Sequence, residues 1–361
     1  MILTAITFFV ILTILVLIHE LGHYMVARIV GVRVEEFGLG LPPRIFGKKI
    51  GNTVYSLNWL PIGGFVRLAG EDDEIHDPKL AKSAKYREFF WARSKKERSA
   101  ILVAGVFMNF VLAVGITVAL LVTGVKEPSG KVQVEKVAAN SPAAAAGLRE
   151  GDTILSVAER PEAPRSVTTP PELIAFVKDR AGREIVLVIE REGKIMAVSL
   201  SPRKEVPPGE GPLGVSVTGM ETKRYSLKEA PMKAVSINLD RMRDMFTSLG
   251  GMVWRLITLR PPESDVAGPI GIAQVTGQAV KFGWSAVLEF ASILSLNLAV
   301  LNILPIPALD GGRLAFVFLE KIMGRKVRPA FEKSTHQIGM LILLGLIVLV
   351  SINDILRLVR G

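Results

Sequence analysis

The chain has 361 residues, 49% of them apolar, a net charge of +10 and no cysteine. Without cysteine there are no disulfides and no thiolate metal sites, so any metal must bind through nitrogen and oxygen. The positive charge would suit nucleic acid or an anionic membrane surface; lysines and arginines clustered beside long apolar runs favour the membrane.

Four runs reach the roughly 20 apolar residues that a bilayer crossing needs. The first, residues 2–30, is interrupted by His19, Glu20 and His23. It has neither the basic start nor the small-residue cleavage site of a signal peptide, so a retained helix is expected. Residues 31–98 form a basic loop containing Lys48, Lys49, Arg93, Lys95, Lys96 and Arg98. Inside it, 54–70 flanks the breaker group Pro61-Ile62-Gly63-Gly64 with apolar and aromatic residues, which reads as a β-hairpin or loop. The second span covers 99–125, the third 285–304 and the fourth 338–356. Between the last two, 313–337 is again basic, with Arg313, Lys321, Arg325 and Lys326. The positive-inside rule then sets both basic loops in the cytosol and both termini outside.

The long insertion between the second and third spans starts as a β-rich module, expected over 126–204. Strand-like runs at 131–137, 153–157, 184–191 and 194–200 alternate with short helices at 143–148 and 171–179, and Glu192-Gly193 suits a tight hairpin turn. The string Asn140-Ser-Pro-Ala-Ala-Ala-Ala-Gly-Leu-Arg-Glu-Gly-Asp-Thr-Ile-Leu155 resembles a PDZ domain, in the circularly permuted form of bacterial proteases. Such domains take an extended peptide, often a chain end, onto a sheet edge; a β-rich spacer without a ligand is the plainer alternative. Residues 205–284 follow as linker and amphipathic helix. There Met232, Val235, Leu239, Met242, Phe246, Leu249 and Val253 recur at helical spacing, fitting either a membrane-surface helix or a core-facing one.

The strongest chemical signal is His19-Glu20-Leu21-Gly22-His23. Positions i and i+4 share a helix face, so the two imidazoles can meet one Zn²⁺, with Glu20 beside them to take a proton from a metal-bound water. Titratable residues inside a span are expensive and mark function by default. A catalytic zinc site normally takes three protein ligands. His76 and His336 belong to polar loops, whereas Asp310 closes the string Leu301-Asn302-Ile303-Leu304-Pro305-Ile306-Pro307-Ala308-Leu309-Asp310-Gly311-Gly312 just past the third span. Both that span and the first run inward, so His19 and Asp310 are expected at similar depth. The two glycines make a simple turn the other reading of Asp310.

Taken together, the first-helix motif, Phe37-Gly38-Leu39-Gly40, Gly63-Gly64-Phe65-Val66-Arg67-Leu68, Gly268-Pro269-Ile270 and the Asn302-to-Gly312 string resemble the site-2 proteases of the regulator of sigma-E kind. The resemblance implies a polytopic α-helical membrane protein with four transmembrane helices, an extracytoplasmic PDZ domain and a cytosolic-side membrane-associated β-hairpin. It implies that His19, His23 and Asp310 hold Zn²⁺ and that Glu20 is the general base. Asn302, Pro305 and Pro307, with Asn297, would line the substrate cleft, and the β-element with Gly63 and Gly64 would pair with an unwound substrate strand. Implied substrates are pre-trimmed single-span membrane proteins, such as anti-sigma factors or signal-peptide remnants, in the bacterial cytoplasmic membrane; no nucleic acid is expected. Arg313 departs from the pattern, standing where a histidine often follows Asp-Gly-Gly, and only one PDZ copy is visible. A peptide-binding scaffold would leave Glu20 dispensable. A metal transporter would show ligands on several spans or internal repeats, and neither is present.

Overall fold

A computed structural model describes residues 2–71, 84–159, 163–258 and 268–360, divided into two compact units. His76, Lys79 and Lys82 lie outside the described residues. The first unit joins 1–122 to 226–361, and the second is 123–225.

In the first unit, four helices are long and apolar enough to cross a membrane: α1 (Ile2–Ile29), α2 (Lys95–Thr123), α7 (Trp284–Ile303) and, within α9 (Pro329–Arg360), the stretch Ala330–Leu356. At about 1.5 Å per residue, the 28 residues of α1 exceed a hydrocarbon core of about 30 Å. Two β-strands, β1 (Val34–Ile50) and β2 (Thr53–Leu68), sit between α1 and α2. Three further helices complete the unit: α5 (Ala230–Ile257), α6 (Pro269–Phe282) and α8 (Asp310–Met323). Ile11 and Leu15 of α1 pack on Ala279 of α6 and on Val287 and Ala291 of α7. Several polar side chains buried in the bundle pair across helices, as a water-free interior favours. Ser295 Oγ donates to the Asn109 carbonyl at 2.8 Å, and Asn238 Nδ2 donates to Thr117 Oγ1 at 3.0 Å. The Gly268-Pro269-Ile270 string opens α6. There Asp354 of α9 accepts the Gly268 and Gly271 N–H groups, and a side chain at 268 would collide with it.

The β-hairpin differs from the sequence expectation in where it turns. The tight turn is at Gly51, with φ 63°, and 54–70 supplies the returning strand instead of a whole hairpin. β1 was not anticipated, because Gly38, Gly40, Pro42, Pro43 and Gly47 punctuate it like a loop. Both strands fold on themselves: Phe37 lies opposite Val66 and also opposite Tyr55, while Lys49 lies opposite Val54. The segments therefore order as 44–50, 53–58, 34–41 and 64–68. Residues 64–68 form one edge, with no further strand paired to it among the described residues. Tyr24 of α1 fastens this sheet through a 2.7 Å contact between its hydroxyl and that of Tyr55.

On α5, Ala230, Ala234 and Asn238 are fully buried, and the apolar stripe read from the sequence faces outward instead. Met232 is 78% and Val253 55% exposed, so the described residues leave much of the stripe uncovered.

The second unit is a six-stranded antiparallel sheet with two helices. Its strands are β3 (Val125–Val137), β4 (Thr153–Glu159), β5 (Arg165–Ser166), β6 (Ile185–Arg191), β7 (Lys194–Leu200) and β8 (Val215–Lys223). They order as β7-β6-β4-β3-β8, with β5 on β4. Helices α3 (Pro142–Ala145) and α4 (Pro170–Asp179) complete it. Ile154, Ile185, Leu187 and Ile189 form its core with Leu173 of α4. Glu192 and Gly193 both take positive φ, as the expected tight turn requires. β8 lies beyond residue 204: the sheet continues across the Pro/Gly-rich stretch and takes a further edge strand on β3. Between α4 and β8 runs a groove of about 690 Å³ lined by Leu173, Val177, Leu213 and Val215.

Asp152 fastens the 147–152 turn to β6. Arg191 grips it at 2.6 Å through both Nε and Nη2, and the Arg149 N–H donates at 2.8 Å. Burial raises the Asp152 carboxyl, but Arg191 and the Arg149 N–H outweigh that and hold it below the usual carboxylate range. A lowered folded pKa means the stabilisation is complete above an unfolded value of about 3.9 and fades as pH falls below it. Asp152→Ala is expected to destabilise this unit by about 2 kcal/mol at neutral pH, less as pH drops below that value. Pulse proteolysis of the full chain, followed at cuts within 123–225, measures the loss.

Candidate metal centre

α1 places His19 and His23 one turn apart, both buried, and α8 begins with Asp310 facing them. His19 Nε2 and His23 Nε2 are 3.2 Å apart, and they lie 2.9 and 3.3 Å from Asp310 Oδ2. Ligand atoms at about 2.0–2.1 Å around a tetrahedral zinc are separated by about 3.3 Å. Asp310 Oδ2 is buried and makes no geometrically acceptable hydrogen bond. Three lone-pair atoms thus converge on one point at a tetrahedral spacing, and the donor set fits Zn²⁺.

Backbone and amide groups hold the imidazoles from behind. His23 Nδ1 is 2.8 Å from the Ile101 carbonyl, which fixes the proton on Nδ1 and turns Nε2 towards the centre. Asn109 of α2 lies with Nδ2 3.3 Å from His19 Nδ1, while its Oδ1 has no partner among the described residues. Turned by half a rotation, the amide places Oδ1 where it accepts the Nδ1–H of a histidine that ligates through Nε2. Asn109→Leu, which keeps the branching of the side chain and removes its polar atoms, is expected to lower zinc affinity or activity by about 10- to 100-fold, measured by chelator competition.

Three glycines make room for these contacts. A side chain at Gly105 would overlap both imidazoles, and one at Gly22 would strike the Ala104 backbone, so these two glycines let α1 and α2 close at the site. A side chain at Gly311 would strike the backbone of Ile303 and Leu304 and displace α8 from α7.

Glu20, His19, Asn302 and Asp310 line one pocket of about 220 Å³ together with Val16 and Leu298. Asn302 Nδ2 lies 3.3 Å from His19 Nε2. The sheet edge passes the same place: the Val66 backbone N–H lies beside the Glu20 carboxylate, and an added Cβ at Gly64 would lie 3.6 Å from Glu20 Cγ. Gly63, at φ 82°, bends that strand. Other candidate residues are placed elsewhere. Asn297 is half-buried on α7, away from the pocket lining. Pro305 faces a separate groove between α2 and α8, and Pro307 packs on Gly339 of α9. His336 is no part of the cluster; it accepts the Ala308 N–H at 2.9 Å and thereby holds the loop just before Asp310. Arg313 pairs with Glu71, joining α8 to the end of β2.

Asn109, Gly105 and the Ile101 carbonyl were not read from the sequence. A lone asparagine inside an uncharged span was the one available signal.

Residues 7–346 match the model of Peptidase family M50, and the chain belongs to that family. It is 31% identical to the regulator of sigma-W protease RasP of Bacillus subtilis, over 98% of this chain and 99% of that one. It is likewise 31% identical to the zinc metalloprotease RasP of Bacillus licheniformis and 28% identical to that of Oceanobacillus iheyensis, each over 98% of this chain and 99% of the relative. The chain is a multi-pass membrane protein and an intramembrane zinc protease of the site-2 type.

Proposed function

We propose that His19, His23 and Asp310 are the zinc ligands, that Glu20 is the general base, and that the substrate is a single-span membrane protein already shortened outside the membrane. The observation that carries the ligand assignment is the spacing of the three atoms around Asp310 Oδ2. When bound, zinc supplies Lewis acidity that polarises the scissile carbonyl and acidifies water. Glu20, next to His19 but outside the ligand set, receives the proton of the attacking water and passes it to the leaving amine. Asn302 faces the same pocket and orients the carbonyl through its amide. A transmembrane helix must unwind locally before an amide bond is reachable, and the freed backbone groups then need partners away from water. Residues 64–68, an unpaired edge beside Glu20, meet that need, with Gly63 and Gly64 keeping the approach open. Pro305 and Pro307 act indirectly, by fixing the path of the chain between Asn302 and Asp310.

The second unit reads as a PDZ domain whose groove between α4 and β8 takes a peptide end. α5, with its outward apolar stripe, lies on the outer membrane surface. The basic loops face the cytosol and both termini face outward. The substrate class follows the sigma-W regulator among the relatives and includes anti-sigma factors and signal-peptide remnants.

Purified protein in proteoliposomes, offered trimmed and untrimmed single-span reporters, tests this reading, with products mapped by mass. Cuts inside the span of trimmed reporters, extended to untrimmed ones when 123–225 is deleted, are expected. Cuts outside the span, or a deletion that leaves selectivity unchanged, count against the substrate assignment.

A further inference from the structure

A second cavity in the first unit, of about 980 Å³, shares no lining residue with the metal pocket. It is an open groove between the start of α2 and α8. Its floor is apolar, with Ala100, Val103, Leu314 and Phe318, and Phe318 is 62% exposed. Three ammonium groups, Lys95, Lys96 and Lys321, stand among its lining residues, and no acidic side chain does. The neighbouring Glu320 is turned inward, its carboxylate paired with buried Arg98. Lys95 donates to the Glu320 carbonyl at 2.9 Å and keeps two hydrogens for another acceptor. Lys96 and Lys321 are exposed.

We propose that this groove binds one anionic phospholipid, with its phosphate on Lys95, Lys96 and Lys321 and an acyl chain along Val103 and Phe318. Two features point to this occupant. Lys95 and Lys96 sit at the start of a 29-residue helix, longer than the roughly 20 residues that cross the hydrocarbon, which puts them at headgroup level, and Lys321 lines the same groove from the last turn of α8. Three cations with no acidic side chain among the described lining residues, beside an apolar trough, match a headgroup with net negative charge and repel the quaternary ammonium of a zwitterionic one. An unwound substrate strand would find no sheet edge here, so a lipid suits the walls better than a peptide. In the orientation proposed above, the site faces the cytosolic leaflet.

Native mass spectrometry of the full-length protein, with equimolar phosphatidylglycerol and phosphatidylcholine, tests the proposal. The wild type is expected to retain one phosphatidylglycerol in preference to phosphatidylcholine. The double variant Lys96→Gln/Lys321→Gln is expected to lose about tenfold of that preference with zinc content unchanged. Val103→Trp, which fills the trough and spares the lysines, should abolish retention. Excess inorganic phosphate should not displace the lipid. Equal retention of the two lipids, full retention by the double variant, or displacement by phosphate would overturn the proposal. So would a photocrosslinker at Phe318 that captures the reporter's span instead of lipid.

Discussion

Glu20→Gln is expected to lower kcat for intramembrane cleavage by about 10²- to 10⁴-fold, the range for losing a general base, while zinc content stays at the wild-type level. The carboxamide has nearly the same shape and takes no proton at neutral pH. Glu20 lines the pocket with His19 and Asp310 but is not one of the three converging atoms, so the substitution separates proton transfer from metal binding. Cleavage of a single-span reporter and metal analysis on one preparation check both halves. Retained cleavage would remove Glu20 from the role of general base, and zinc loss would make Glu20 part of the metal site.

Gly105→Ala carries the second large effect. In an ordinary helix, replacing glycine by alanine adds about 1 kcal/mol of stability. Here the new methyl would occupy the space of His23 Nε2 and the adjoining edge of His19. Zinc affinity is therefore expected to fall by about 100-fold or more, with cleavage falling in step. Gly115 provides the control on the same helix, since nothing lies within 4 Å of an added Cβ there. Gly115→Ala should keep both zinc and activity. Equal zinc affinity in the two variants, by chelator competition, would show that the imidazoles do not rest on Gly105.

The grouping of His19, His23 and Asp310 was legible in the sequence because the three residues are chemically conspicuous. His19 and His23 share a helix face and interrupt an otherwise uncharged span, and Asp310 comes shortly after another span read as running in the same direction. What supports the centre was not legible. The Ile101 carbonyl is a backbone atom with no residue signature, and Gly105 acts by having no side chain. Asn109 announced only that a polar group was buried. In the fold, β1 was hidden by its own glycines and prolines, which bend the strand instead of ending it. β8 was hidden because its partner β3 lies far earlier in the chain, with Val125 opposite Lys223 and Val137 opposite Val215, and pairing over such a distance leaves no local pattern. The stripe on α5 was visible, but periodicity cannot say whether chain or membrane covers it.

Zinc K-edge X-ray absorption of the purified protein tests the central claim most directly. The account predicts a shell of nitrogen and oxygen with two imidazoles, and loss of most of the zinc in Asp310→Ala. The chain has four histidines, so a shell with three imidazoles is chemically available. That result, or an Asp310→Ala protein with full zinc and an unchanged spectrum, would contradict it.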